Sequence, residues 1–97
     1  MISVQEAINK VDNFKEKNQV LIEIIKSEIE KEIEAAAEKG YRKKEICIYP
    51  IWTRIEKQFG VKLNWDFAQG IKEIIIRDLR ENGFRINIYR GDFEVLW

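Results

Sequence analysis

The chain has 97 residues, of which 45% are apolar and 35% are charged, and this composition fits one folded domain spanning residues 1–97. Its 17 basic and 17 acidic side chains cancel, whereas a nucleic-acid-binding protein usually carries excess positive charge. The absence of histidine, with a single cysteine, excludes histidine-activated nucleophiles and an ordinary zinc site within one chain. We therefore predict that the protein is not an enzyme and has no catalytic residues, no metal site and no cofactor.

The sequence also predicts a cytoplasmic location. A single cysteine cannot form an internal disulfide, which favours a reducing compartment. No apolar stretch has the length that a membrane-spanning helix needs, and the first residues lack the basic and apolar regions of a secretory signal. We expect no membrane among the partners.

A single amphipathic helical pattern runs from Val4 to Lys39, and Ser3 begins a capping box that predicts its start. An unbroken helix of this length would measure roughly 54 Å. That is too long for a compact domain of this size to cover. Two alternatives follow. Residues 15–19, which include no apolar side chain, break the pattern into two antiparallel helices, or the helix is a long arm that a partner covers.

The second half of this helix has an apolar stripe with helical spacing, which predicts self-association. We therefore expect a homo-oligomer, in which residues 1–40 form a helical arm on a smaller α/β unit, residues 41–97. The predicted interface residues are Leu21, Ile22, Ile25, Ile29 and Ile33.

Residues 41–97 predict the order strand, helix, helix, strand, strand. The first strand is expected at 45–49, a short helix at 50–60, and an extended or turn segment at 61–65. A second helix is expected at 66–82, with Gly70 marking a close packing contact. A hairpin with a turn at Gly91 closes the chain. The predicted class is α+β with a three-stranded sheet and a winged-helix-like order of elements.

This order raises DNA binding as an alternative function. In a winged helix, the second helix of the helix-turn-helix enters the major groove and needs basic or amide side chains. Here that helix is slightly acidic, which disfavours contact with phosphates and makes DNA the less favoured partner. Its charged residues are Lys72, Arg77 and Arg80 against Asp66, Glu73, Asp78 and Glu81.

A basic segment with interleaved aromatic residues is the best candidate ligand site. Residues 41–62 have a net charge of +4, whereas residues 1–40 have a net charge of −3. Basic side chains bind phosphates and aromatic rings stack on bases, so the pattern suits a nucleotide. Strand alternation would place Tyr49 at a pocket, while Cys47 is expected to be a small buried residue. The alternative is that the segment is a solvated basic edge that binds no ligand, with its aromatic side chains turned into the core. The candidate residues are Tyr41, Arg42, Lys43, Lys44, Tyr49, Trp52, Arg54 and Lys57.

Three short patterns lie at the ends of predicted elements. Residues 33–40 end the long helix in alanines, a lysine and a glycine; residues 79–84 step from a helix through glycine to Phe84; and Trp97 ends the hairpin. Together they resemble a group of small phage and prophage proteins of uncharacterised role. The resemblance implies no catalytic residues.

For function, this resemblance implies an antagonist of a bacterial host defence or regulatory system, acting in the host cytoplasm. Such a protein would sequester a nucleotide signal or block a host protein. Two alternatives remain beside it. One is a winged-helix DNA-binding regulator, and the other is a structural interaction protein that assembles through its long helix.

Overall fold

The computed structural model describes residues 1–60, 62 and 64–97, without the side chain of Trp65. The α+β class and the predicted order of elements are confirmed. The expectation of an extended or turn segment at 61–65 falls partly on Val61 and Leu63, which lie outside the described residues. The elements are α1 (Val4–Lys17), α2 (Gln19–Glu38), β1 (Lys43–Cys47), α3 (Ile48–Phe59), α4 (Trp65–Glu81), β2 (Arg85–Ile88) and β3 (Asp92–Leu96).

The long N-terminal helix breaks at Asn18, within the predicted window, where the backbone has φ −108° and ψ 18°. The Asn18 amide still donates to the Phe14 carbonyl at 3.1 Å, and the Ile22 amide donates to the Asn18 carbonyl at 2.9 Å. The Asn18 side chain donates to the same Phe14 carbonyl at 2.9 Å. Because these bonds bridge the junction, the break is a kink, and one intervening residue is too short to reverse the chain into a hairpin.

The three strands form an antiparallel sheet in the order β1-β3-β2. Ile46 and Ile88 flank Phe93 in one row of the sheet, and Phe93 is fully buried. The β2-β3 hairpin turns through Gly91, whose φ of 74° suits glycine. Helices α2, α3 and α4 contact one another beside this sheet, and from α2 onward the elements follow the predicted winged-helix-like order.

The core is built largely from isoleucine. It lies between α2, α3, α4 and the inner face of the sheet. Branched aliphatic side chains pack closely there, and each fully buried one contributes about 1.5–3 kcal/mol. Its fully buried members include Ile22, Ile25, Ile29, Ile46, Ile48, Ile51, Ile55, Ile71, Ile75, Phe93 and Val95.

The predicted oligomer interface lies mostly inside this core. Ile22, Ile25 and Ile29 have at most 1% of their surface exposed, and Ile33 has 8%. Leu21 is half-buried and packs against the same cluster. The stripe on α2 is therefore covered by the chain's own sheet and helices, and it gives no physical reason to expect a partner over it. Self-association stays a prediction that needs another surface.

The strand predicted at 45–49 differs from β1, which begins and ends two residues earlier. β1 ends at Cys47, and α3 begins at Ile48, so Tyr49 and Pro50 lie in the first helical turn. Proline is accepted there because the first-turn amides have no helical partner. Ile48 fits the strand alternation, but it also continues the apolar spacing of α3, whose other buried residues are Ile51, Trp52 and Ile55. In the structure Ile48 joins these residues in the core as the first residue of the helix.

Helix α4 begins one residue before the predicted start, with Asn64 as its N-cap. The Asn64 side-chain oxygen accepts a hydrogen bond from the Asp66 amide at 2.8 Å. The predicted close contact at Gly70 is confirmed, because a Cβ there would lie 3.3 Å from Cζ of Phe14. This contact seats the C-terminal end of α1 on α4.

Candidate functional site

The basic-aromatic segment does not form one site. Tyr41 and Lys44 lie at the start of β1, whereas Arg54 and Lys57 lie beyond the other end of that strand, on α3. Trp52 is 3% exposed and belongs to the core, so the prediction that it offers a stacking face is wrong. Its spacing from Ile48 and Ile55 explains its burial. Tyr49 is exposed in the first turn of α3 and does not share a strand face with Cys47.

Three of the predicted phosphate-binding cations already have acceptors within the chain. Nε and Nη2 of Arg42 donate to the main-chain oxygen of Trp97 at 3.1 and 2.9 Å. Nζ of Lys43 lies 3.8 Å from a carboxylate oxygen of Glu94. Nη2 of Arg54 lies 3.5 Å from a carboxylate oxygen of Glu28. These contacts favour the alternative of a solvated basic edge for much of the segment.

A hollow of about 470 Å³ beside the start of β1 is what remains of the predicted ligand site. Tyr41 is 62% exposed at its rim. The hollow mixes cations with carboxylates, and one oxygen of Glu32 is buried there without a hydrogen-bond partner in the described structure. Negative side chains in the same hollow oppose a phosphate. Its charged lining residues are Lys39, Lys43, Lys44, Glu32, Glu45 and Glu94.

Sequence reasoning also misplaced Cys47, which is exposed on the outer face of the sheet. The register of β1 on β3 sets it opposite Asp92, and single ligand atoms of Glu45, Cys47 and Asp92 lie within 4.8 Å of one another. Partial desolvation, then the charges of Asp92 and Glu45, raise the pKa of the Cys47 thiol. The thiol therefore stays protonated to higher pH than an ordinary cysteine, which makes it a poor nucleophile.

An uncovered apolar surface runs along α1. Val4, Ile8 and Val11 are 78%, 47% and 43% exposed, and no residue of α1 is buried. Their spacing of four and three residues places them on one face of the helix. We call these three residues the α1 stripe. Sequence reasoning assigned the partner-binding stripe to α2, and the structure leaves the α1 stripe uncovered instead.

The α1 stripe leads into an open groove between α1 and α4. Val11 and Phe14 form the α1 wall, and Gly70 and Ile74 form the α4 wall. The groove has a volume of about 540 Å³. The Phe14 ring meets the Phe67 ring edge-on, with centroids 5.6 Å apart and planes at 83°. This contact holds α1 against α4.

Charged side chains border this groove. Lys10 and Arg77 border the groove, and no carboxylate of the described residues lies within 4.0 Å of either. Deeper along α4, by contrast, Asp78 lies 3.9 Å from Nζ of Lys15 and 3.8 Å from Nζ of Lys26. The rim therefore presents Lys10 and Arg77, neither in an ion pair, together with the carboxylate of Glu73, beside an apolar floor.

The same arrangement bears on DNA binding. In a winged helix, α4 would be the helix that enters the major groove. Here α1 lies on it through the Phe14 contact with Gly70 and the ion pair of Lys15 with Asp78. Helix α4 also exposes Glu73 and Glu81 beside its arginines, which repel phosphates. Steric cover and charge both disfavour DNA on this face.

Comparisons with protein-family models, with curated proteins and with solved structures give no match for this chain. Among the described helices, none combines the length and apolar character that crossing a membrane requires.

Proposed function

We propose that the chain is a non-enzymatic protein-interaction domain that assembles through its N-terminal helix. The observation that carries the proposal is the α1 stripe and the groove that continues it. Isolated exposed apolar residues are ordinary, but an apolar helix face joined to an apolar groove marks an interaction surface. This corresponds to the alternative of a protein that assembles through its long helix, with the contact moved from α2 to α1.

The energetics favour a protein as the partner. Covering a valine or isoleucine side chain that is otherwise exposed contributes about 1.5–3 kcal/mol when the burial is complete. Val4, Ile8 and Val11 are still largely exposed in the isolated chain, so much of this stabilisation becomes available only when a partner covers them. An amphipathic helix that lies in a groove gains it through side chains spaced three and four residues apart. The groove is open along its length, which suits a helix better than an enclosed small ligand.

Within the setting that the resemblance to small phage proteins implies, the chain acts as an antagonist that blocks a host protein in the host cytoplasm. The α1 surface supports a blocking role, because an apolar helix face can occupy a partner's surface without any chemistry. Sequestering a nucleotide would need the hollow beside β1 and would not use α1.

Photo-crosslinking in living cells tests this proposal. Ile8 is replaced by p-benzoylphenylalanine, and the matched control carries the same replacement at Val20, which is 74% exposed on α2. We expect protein adducts from position 8 that are lost when Lys10 and Arg77 are both changed to glutamate. Position 20 should give none. Absence of adducts from position 8, or adducts that survive the charge reversal, would refute the proposal.

A nucleotide ligand is the second candidate, because Tyr41 is exposed beside Lys43 and Lys44 at the hollow near β1. Charge-assisted contacts to phosphate contribute about 1.5–3 kcal/mol each. Changing Lys43 and Lys44 to alanine should therefore weaken nucleotide binding at least about tenfold. Calorimetry with cyclic and linear nucleotides measures this. No binding by the unmodified chain would remove the candidate.

A further inference from the structure

We infer that Asn18 is a hinge and that α1 is a strap, held bent against α4 by the contacts of its last turn. When those contacts are lost, α1 and α2 join into one unbroken helix from Val4 to Glu38. The inference concerns the shape of the chain alone, and it stands or falls independently of the proposed function.

The bent junction lacks main-chain hydrogen bonds that a straight helix would have. An unbroken helix bonds the Gln19 and Leu21 amides to the carbonyls four residues earlier, and the interruption at Asn18 omits both bonds. No side chain caps the start of α2 in their place. Since the Asn18 torsions of φ −108° and ψ 18° lie outside the helical region, a return to helical torsions there would restore these bonds.

The local sequence around the hinge favours the straight form. Residues 15–17 and Gln19 are strong helix formers, and Asn18 is the weak one among them. Asparagine lowers the cost of leaving helical torsions because its side chain can bond to the main chain, as it does here to the Phe14 carbonyl. The direction of the bend is set by the contacts with α4.

Two contacts near the end of α1 hold the bend. The Phe14 ring packs on Gly70 and meets the Phe67 ring edge-on. Nζ of Lys15 lies 3.9 Å from a carboxylate oxygen of Asp78, but this ion pair is partly exposed and therefore contributes little. No residue of α1 is buried. The docked form thus depends mainly on one aromatic ring, which opposes the bonds missing at the junction.

Opening the strap changes both of the surfaces that it joins. On α1 it frees Phe14 beside the α1 stripe, and on α4 it uncovers the backbone around Gly70. A partner that covers Phe14 binds the open form better than the docked form, and it shifts the chain towards the open form by that difference in affinity. The hinge therefore links binding on α1 to the exposure of α4.

The distance between two spin labels tests the inference. The labels are attached at Gln5→Cys and Glu81→Cys, two exposed positions, in a Cys47→Ser background. The labelled chain is diluted with unlabelled chain, so that only distances within one chain contribute. Phe14→Ala should shift the distribution to longer distances, because α1 swings away from α4. Val4→Ala is the matched control at the far, exposed end of α1, and it should leave the distribution unchanged.

Amide exchange, followed by NMR on the same chains, distinguishes straightening from simple detachment of α1. In the Phe14→Ala chain, the Gln19 and Leu21 amides should exchange more slowly than in the unmodified chain, because they gain helical hydrogen bonds. Faster or unchanged exchange at these two amides would overturn the inference, and so would an unchanged distance between the labels.

Substitutions at the hinge give an independent test, because Asn18 lies outside the core and its variants should fold. Asn18→Ala favours helical torsions and Asn18→Gly disfavours them, so the ratio of open to docked chain should be about fivefold higher with alanine. Circular dichroism confirms that both variants are folded, and the spin-label distances give the two populations. Equal ratios in the two variants would contradict a hinge at Asn18.

Discussion

Helices α1 and α2 are both amphipathic, and they follow one another with one residue between them, yet their apolar faces have opposite fates. The stripe on α2 lies in the core, where Ile25 and Ile29 are fully buried. The stripe on α1 extends past the body of the chain, where Val4 is mostly exposed. Helical periodicity therefore identifies a face that needs cover, while the tertiary contacts alone decide whether the chain or a partner supplies it.

The largest expected effect is a difference in the free energy of unfolding when an isoleucine is changed to alanine in α2 or in α1. Ile29→Ala should lower the free energy of unfolding by about 2–5 kcal/mol, because it leaves a cavity in the core. Ile8→Ala should lower it by less than about 0.5 kcal/mol in dilute protein, where α1 is uncovered. Urea denaturation at submicromolar concentration measures both. Similar losses for the two variants would break the comparison.

A second prediction concerns the contact that holds α1 on α4. Phe14→Ala removes the ring that packs on Gly70 and Phe67, and it should cost about 1–3 kcal/mol for a half-buried aromatic side chain. Amide hydrogen exchange should accelerate more than about tenfold in α1 and stay unchanged in the core of α2. Unchanged exchange in α1 would show that Phe14 does not anchor the helix.

Gly70→Ala sharpens this test. Alanine favours a helix over glycine by about 1 kcal/mol. The new Cβ would lie 3.3 Å from Cζ of Phe14, however, so the ring must shift. We therefore expect a gain of about 1 kcal/mol only in the Phe14→Ala background and a smaller gain or none in the unmodified chain. Equal gains in both backgrounds, measured by urea denaturation, would contradict the contact.

The smallest expected effect uses Cys47 as a reporter remote from α1. Its pKa is raised by desolvation and then by Asp92, so Asp92→Asn should lower that pKa and increase iodoacetamide labelling near pH 8. The labelling rate should not depend on protein concentration, because assembly through α1 would leave the outer face of the sheet uncovered. A cysteine introduced in the Ile8→Cys, Cys47→Ser variant should instead be protected as concentration rises. Protection at Cys47 would place the interface on the sheet.

Much of the fold follows from local sequence. The capping box at Ser3 begins α1 with the predicted hydrogen bond to the Glu6 amide, at 3.1 Å. The hairpin turn at Gly91 and the close contact at Gly70 were also predictable, because each depends on the properties of glycine itself. The strand boundary near Ile48 was not, since Ile48 satisfies both a strand and a helical spacing, and only the long-range packing of α3 decides between them.

The candidate site was harder to predict than the fold. Trp52 and Arg54 are close in sequence to the basic residues at 42–44, but burial and an ion pair with Glu28 remove them from any common pocket. The groove between α1 and α4 joins residues about sixty positions apart, and no local pattern shows which segments will meet. One part of the groove was nevertheless visible in the sequence, because the helical spacing of Val4, Ile8 and Val11 indicates an apolar face on α1.

Hydrogen–deuterium exchange as a function of protein concentration tests the central claim most directly. We expect the amides of α1 to exchange more slowly as concentration rises from submicromolar to tens of micromolar, while those of α2 keep one rate throughout. The Val4→Glu, Ile8→Glu variant should lose this concentration dependence in α1. Exchange in α1 that is independent of concentration in the unmodified chain would contradict the account.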